Sequence, residues 1–260
     1  MGAPVLTAGG FTPPGAGDFN LPPIFAGITK PMILVVLAMI IIAAYFLISS
    51  RKLKIVPGKG QFVAEYVYDF ARNGIAREQI GSKDFKPFVP LVLSLFSFVL
   101  VNNLFGLIPI FQFPTLAHIG FPLALSLLVV YPVYHYVGFR KHGFVGYLKH
   151  QTVPPGAPAA IYLLLTPIEF LQKFVLNPIT LAIRVFAAMF AGHLILLVFT
   201  VAGEFLLVEA SGPIAKPVSI ISFAFAILMT FVEALIQVIQ AYVFAVLSAN
   251  YIGAALSEDH

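Results

Sequence analysis

The sequence predicts an all-α membrane protein of about five membrane-embedded helices plus one interfacial amphipathic helix. Three observations carry this. The 260 residues are 60% hydrophobic and only 10% charged, with a mean hydropathy of +0.96, whereas a soluble domain runs at about 25% charged residues. Long apolar runs lie between short polar segments. The cations gather at the ends of those runs rather than on one basic face, so the +4 formal charge does not point to nucleic acid. With no cysteine, disulfides, thiol catalysis and Cys-ligated metals are excluded. The patterns GxxxxGK[ST], HExxH and GxSxG are absent as well, and no cofactor is expected.

In chain order, residues 1–30 are rich in Pro and Gly and lack a basic stretch followed by an apolar core. They read as a polar lead-in, not a cleaved signal. Residues 32–50 hold nineteen uncharged positions, close to the ~20 needed to cross ~30 Å of hydrocarbon. Arg51, Lys52 and Lys54 close this span, and Pro57 and Gly58 break the chain. Residues 61–80 mix Phe62, Tyr66, Phe70 and Ile75 with Glu65, Asp69, Arg72, Arg77 and Glu78. That mixture suits a helix lying on the membrane surface.

Spans over 88–110 and 116–139 follow, the second closed by Arg140, Lys141 and Lys149. Eleven of the fifteen Lys and Arg residues fall within 51–86 and 140–149. The positive-inside rule puts those segments and the C-terminus in the cytoplasm, and the N-terminus and the 103–117 loop outside.

Beyond the Pro-rich linker at 153–158 lie two long apolar stretches, 161–208 and 218–256, expected as a tilted hairpin. The last has 39 residues with no proline and one charge, Glu233. As a straight helix it would be about 58 Å long, nearly twice the hydrocarbon thickness. Ordinary tilts cannot absorb that excess, so the two helices are expected to lie across something large and curved. The whole chain reads as a single membrane domain.

Arg184 stands in an otherwise apolar run, with no acidic residue within fourteen positions on either side. An intramembrane cation costs at least ~2.5–3.5 kcal/mol to insert. A hairpin turning near Ser211–Gly212 brings it level with residue 238, between Gln237 and Gln240, and places His193 four residues from the level of Glu233. Glu233, Gln237 and Gln240 share one helix face. Ala187, Ala188 and Ala191 beside Arg184 would let another helix approach closely.

Histidine titrates near neutrality and can trade protons with a carboxyl group. Arginine stays charged and can only attract an anion or repel a proton. Packing roles stay open for each residue. Asn102 and Asn103 read as helix-packing amides, Gln237 and Gln240 as interhelical glue, and a salt bridge from Arg184 to Glu233 is the alternative for the arginine.

The stretches NPITLAIRVFAAMFAGH from Asn177 and EALIQVIQAYVFAVLSANYI from Glu233, with NNLFGLIP at 102–109 and TPIEFLQKF at 166–174, resemble subunit a of the F-type ATP synthase. The resemblance implies a proton-conducting stator subunit that is not itself catalytic. Its partners would be a ring of c subunits, the b-subunit stalk, the rest of the synthase, and lipid. It assigns Arg184 to the face toward the ring, separating two half-channels, with Gln240 and Gln237 beside it. His193 and Glu233 would serve the outer half-channel and Glu169 the inner one, while Asn102 and Asn103 carry the weakest claim to the path. It implies a bacterial cell membrane, or alternatively an organellar inner membrane.

The chain departs from many bacterial members in having Ala188 where they carry asparagine. It also carries His193 and Glu233 in exchanged order, as mitochondrial relatives do. Two other readings remain. A stand-alone transporter with an Arg-gated site would show inverted repeats, and no second copy of the Arg184 segment is present. A membrane cytochrome would need paired axial histidines, yet only His135 and His193 lie well inside spans.

Overall fold

The computed structural model describes residues 12–19, 21–24, 27–51, 53–108, 110–153, 159–209 and 213–257. Every long element is helical, and five helices among the described residues are long and apolar enough to cross a membrane. Helix α1 (Lys30–Ser50) begins with Pro31, where a missing N–H costs nothing. It buries only Pro31, Leu34 and Ala38 and leaves the rest of its apolar surface bare. Helix α2 comprises Lys59–Asp69, a π-helical stretch Phe70–Arg77 and a last turn Glu78–Ile80. Its small face, Ala64, Ala71, Ile75 and Ala76, is buried, while Glu65, Asp69, Arg77 and Glu78 are exposed.

Helix α3 (Val89–Phe105) follows a 3-10 turn at Lys86–Phe88. Helix α4 (Gly120–His142) starts later than the span expected over 116–139, because Thr115–Ala117 forms a separate 3-10 turn. It ends where Gly143 takes a φ of +70°, open to glycine without strain. That turn folds α5 (Phe144–Thr152) back so that Tyr147 lies against Gly138. Helix α6 (Ala159–Phe170) runs on through a π-helical turn, Leu171–Leu176, into α7 (Asn177–Val208). Helix α8 (Ala215–Leu256) has 42 residues. The linker at 154–158 and the expected turn at Ser211–Gly212 lie outside the described residues.

Two of the three π-turns share one cause. Proline removes a donor and presses its ring on the carbonyl four residues earlier. Pro132 and Pro178 stand four residues after Leu128 and Phe174, which lie inside the π segments Leu125–Val130 and Leu171–Leu176. The widened turn takes up both the clash and the lost bond, so the helices continue.

The core is built around the C-terminal half of α8. Ala241, Phe244, Ala245, Ala249 and Ile252 pack against Val92, Leu95 and Val99 of α3, Ala71 and Ile75 of α2, and Leu181, Val185 and Met189 of α7. The N-terminal half of α8 buries one narrow stripe, Ser219, Ser222 and Ala226, against α7. It leaves Ile220, Ile227, Leu228, Phe231 and Leu235 exposed.

The small face of α2 docks on the end of α8 at Gly253, where an added Cβ would run into the Gln79 carbonyl. Gly253→Val should force the two helices apart. An overpacked site costs typically ~1–3 kcal/mol, so the purified variant should unfold several degrees lower in a thermal melt, and Gly146→Ala, where the nearest atom is 3.6 Å from the added carbon, should not.

Candidate site at the α7–α8 hairpin

Helices α7 and α8 run antiparallel, with a register that is read from four contacts. Ser219 Oγ donates to the Gly203 carbonyl and Ser222 Oγ to the Phe199 carbonyl, both at 2.7 Å. The Phe199 and Phe225 rings stack with centroids 5.6 Å apart, and His193 Nδ1 lies 3.9 Å from Glu233 Oε1. Carried on toward the start of α7, this register brings Arg184 level with residues 237–242, the turn of α8 that holds Gln240.

Glu233 is only 2% exposed. Its side chain fits because α7 offers Gly192 there. A Cβ on Gly192 would sit 3.2 Å from Glu233 Cγ and 3.3 Å from Cδ, tighter than ordinary packing allows. From that position Glu233 Oε1 accepts a 2.9 Å hydrogen bond from Gln237 Nε2, one helical turn on. The backbone carbonyl of Gln237 in turn accepts from Asn103 Nδ2 at 3.0 Å, tying α3 to α8. Asn102 Nδ2 donates back to Phe98 within α3, and Asn102 Oδ1 accepts from Thr115 Oγ1 at 2.9 Å.

Not every buried polar atom of this cluster has a protein partner. His193 Nδ1, Glu233 Oε2, Gln237 Oε1, Gln240 Oε1 and Asn103 Oδ1 are all shielded without a hydrogen bond. A buried polar group with no partner costs roughly 1–3 kcal/mol in proteins. Five in one place mark a site that has not been sealed for stability.

Arg184 is set apart from this buried group. It is exposed, on a stripe of α7 formed with Thr180, Ile183, Ala187, Ala191 and Ile195. Among the described residues it has no carboxylate within ion-pair distance, and its charge is felt at Tyr251 of α8. Glu169 lies a helix away in α6, where Lys173 Nζ is 3.3 Å from Glu169 Oε2.

Two further features have no motif or periodicity to mark them. Phe19, in the 3-10 turn Ala16–Phe19 of the lead-in, is 4% exposed and meets the Phe190 ring at 4.8 Å and the His193 ring at 5.9 Å. At the other end of the bundle, His135 Nδ1 is 2.9 Å from the Tyr147 hydroxyl, between the Tyr131, Tyr134 and Phe174 rings. Burial pushes the Tyr147 hydroxyl above its ordinary value, so it stays protonated beside His135. The one available signal was Gly138, nine residues before Tyr147, whose missing Cβ leaves the space that the ring occupies. Among the described residues no three His, Asp or Glu side chains are grouped to hold a metal, and His135 and His193 contact separate partners.

Residues 32–253 match the family model described as ATP synthase A chain. A protein of Nocardioides sp. named ATP synthase subunit a is 45% identical, over 96% of this chain and 95% of the relative. One of the same name from Pseudarthrobacter chlorophenolicus is 43% identical over 100% and 98%, and one from Streptomyces lividans is 40% identical over 96% and 90%.

The Asn103–Gln237 bond should be measurable in isolation. Interhelical hydrogen bonds in membranes average about 0.6 kcal/mol and reach ~1.7. Asn103→Leu should lower unfolding stability in detergent by about that amount. Gly192→Val, which drives Glu233 off its seat, should lower it by more, with ~1–3 kcal/mol expected for overpacking.

Proposed function

Because the chain belongs to the ATP synthase A chain family, we propose that it is the membrane subunit that delivers protons to and from carboxylates on a rotating ring of c subunits. Two half-channels would meet at Arg184. The chain is a membrane component of the synthase and not catalytic by itself. The b-subunit stalk would hold it still against the ring.

The observation that carries the reading is the separation of charge from buried polar groups. Arg184 stands exposed on the small-residue stripe of α7 without an acidic partner among the described residues, while Glu233, Gln237 and Asn103 lie buried and His193 half-buried. A cation exposed on a lipid-facing surface is costly. It is stabilised if a partner's carboxylate faces it, and Ala187 and Ala191 leave room for that partner's helix. The bare flanks of α7 and α8, with Ile183, Ile195, Leu235, Val238 and Ile239 exposed, supply the apolar surround such a contact needs.

Chemically, a proton from outside reaches His193, passes to Glu233 and then to a ring carboxylate. Gln237 holds Glu233 by a hydrogen bond and Gln240 stands one turn on, and neither amide binds a proton itself. The neutralised carboxyl group can then move into lipid. After a turn of the ring it releases its proton to the cytoplasmic half-channel, where Glu169 is the acceptor. It then passes Arg184 as an anion, drawn by the fixed positive charge. Because the guanidinium stays protonated, it also bars a proton from crossing directly. The N-terminus and the 103–117 loop are placed outside and the C-terminus in the cytoplasm, in a bacterial cell membrane.

In assembled membranes, Arg184→Ala should abolish ATP synthesis driven by a proton gradient, and Arg184→Lys should be severely impaired because a point charge replaces a planar fork. Coupled synthesis at the wild-type rate in either variant would refute the assignment. Glu233→Gln should slow proton flux by about 100-fold or more, the scale of removing a proton-transferring group, while the complex still assembles.

A further inference from the structure

We propose that His118 is a proton-relay residue at the outer mouth of the path, handing protons to His193 past a lid formed by the Ala16–Phe19 turn. The proposal rests on the reading of His193 and Glu233 given above and extends that path to the surface.

His118 lies in the loop before α4, on the side assigned to the exterior. Its ring stacks on Phe113 with centroids 5.6 Å apart, and the Lys30 ammonium lies over the same Phe113 ring at 5.9 Å. One side of this arrangement opens on a cavity of about 590 Å³ lined by Leu21, Thr29, Pro31, Met32, His118 and Phe121. That volume is large enough to admit a small base such as imidazole. Towards the interior, the imidazole donates a hydrogen bond to the Phe19 backbone carbonyl, and His118 Nε2 is buried without a partner.

Phe19 therefore touches both histidines. Its backbone meets His118, and its ring meets His193 edge-on at 5.9 Å. Beyond His193 stands Glu233, 3.9 Å away. The order from cavity to carboxylate is His118, Phe19, His193, Glu233, and Phe19 is the one member that cannot carry a proton. Its ring stands as the lid, which must shift or admit water for each transfer. The lead-in is thus part of the path's outer wall.

Burial holds the His118 imidazole below its ordinary value, and its hydrogen bond to the Phe19 carbonyl works the other way. The ring is neutral at pH 7 and can take a proton on one nitrogen while giving one up from the other.

The test uses the intact synthase in proteoliposomes, with proton uptake measured from the face that carries the 103–117 loop. His118→Ala should slow uptake by about 100-fold, the low end for loss of a proton-transfer group. Millimolar imidazole on that face should restore it, because the cavity admits the free base, and imidazole on the opposite face should not. His118→Gln keeps a hydrogen-bonding side chain but carries no proton. It should be slow and should not respond to imidazole. Wild-type uptake in His118→Gln, or slow uptake in His118→Ala with no recovery on imidazole, would overturn the relay. Glu233→Gln, run in parallel, tests the underlying path separately. If it conducts normally, the path itself is wrong whatever His118 does. If it is slow and His118→Gln is not, only the outer relay falls.

Discussion

The arrangement depends on how one carboxyl group is kept inside the helix bundle. Removing a carboxyl from water into lipid surroundings is expensive unless it is hydrogen-bonded or neutral. Here α7 supplies Gly192 at the contact, and the space of one methyl group lets Glu233 fold down between the helices. That placement sets the rest in turn. Gln237 binds Glu233, the Gln237 backbone accepts from Asn103, and α3 is drawn against α8. His193 then stands 3.9 Å from the acid, at ion-pair range and beyond direct hydrogen-bond range. A larger residue at 192 would uncouple all three helices from the acid.

The prolines show the same economy in the backbone. A spanning helix must satisfy its own amides, because lipid offers no substitute. Pro132 and Pro178 both break that rule locally, and in both cases the chain widens one turn upstream instead of ending the helix. The second adjustment lies between Glu169 and Arg184. The segment that separates the two polar levels of this half of the molecule is thus also the one whose hydrogen-bond ladder is least regular.

Much of the architecture could be read from the residues because lipid imposes simple rules. Charge-free runs of about twenty residues gave the helices, and the absence of proline or a turn signal in 218–256 gave the unbroken α8. Counting from an assumed turn put Glu233 four residues from the level of His193, and the two side chains meet at 3.9 Å. What escaped depends on close approach and not on pattern. Phe19 is a single aromatic residue in a Pro- and Gly-rich segment, without periodicity to mark it as buried. Tyr147 lies against Gly138 because a fold-back at Gly143 brings them together, and no linear rule links them. The polar lead-in was polar in composition only, since one ring of it is inside.

The buried polar residues divide into two kinds, and the division is itself informative. Ser126, Ser219 and Ser222 each donate to a backbone carbonyl on another helix. Asn102 is satisfied within its own helix and by Thr115. These residues join the bundle and have no capacity to spare. Glu233, Gln237, Gln240 and His193 each keep at least one shielded atom without a partner, though the same helices had hydroxyls and carbonyls with which to close them. Unmet hydrogen-bonding capacity is a liability in a purely structural core. It is a requirement wherever a proton or water must be able to arrive and leave. Among the described residues, the unmet atoms of Asn103, His193, Glu233, Gln237 and Gln240 gather at the α7–α8 hairpin, where the proposed path would run.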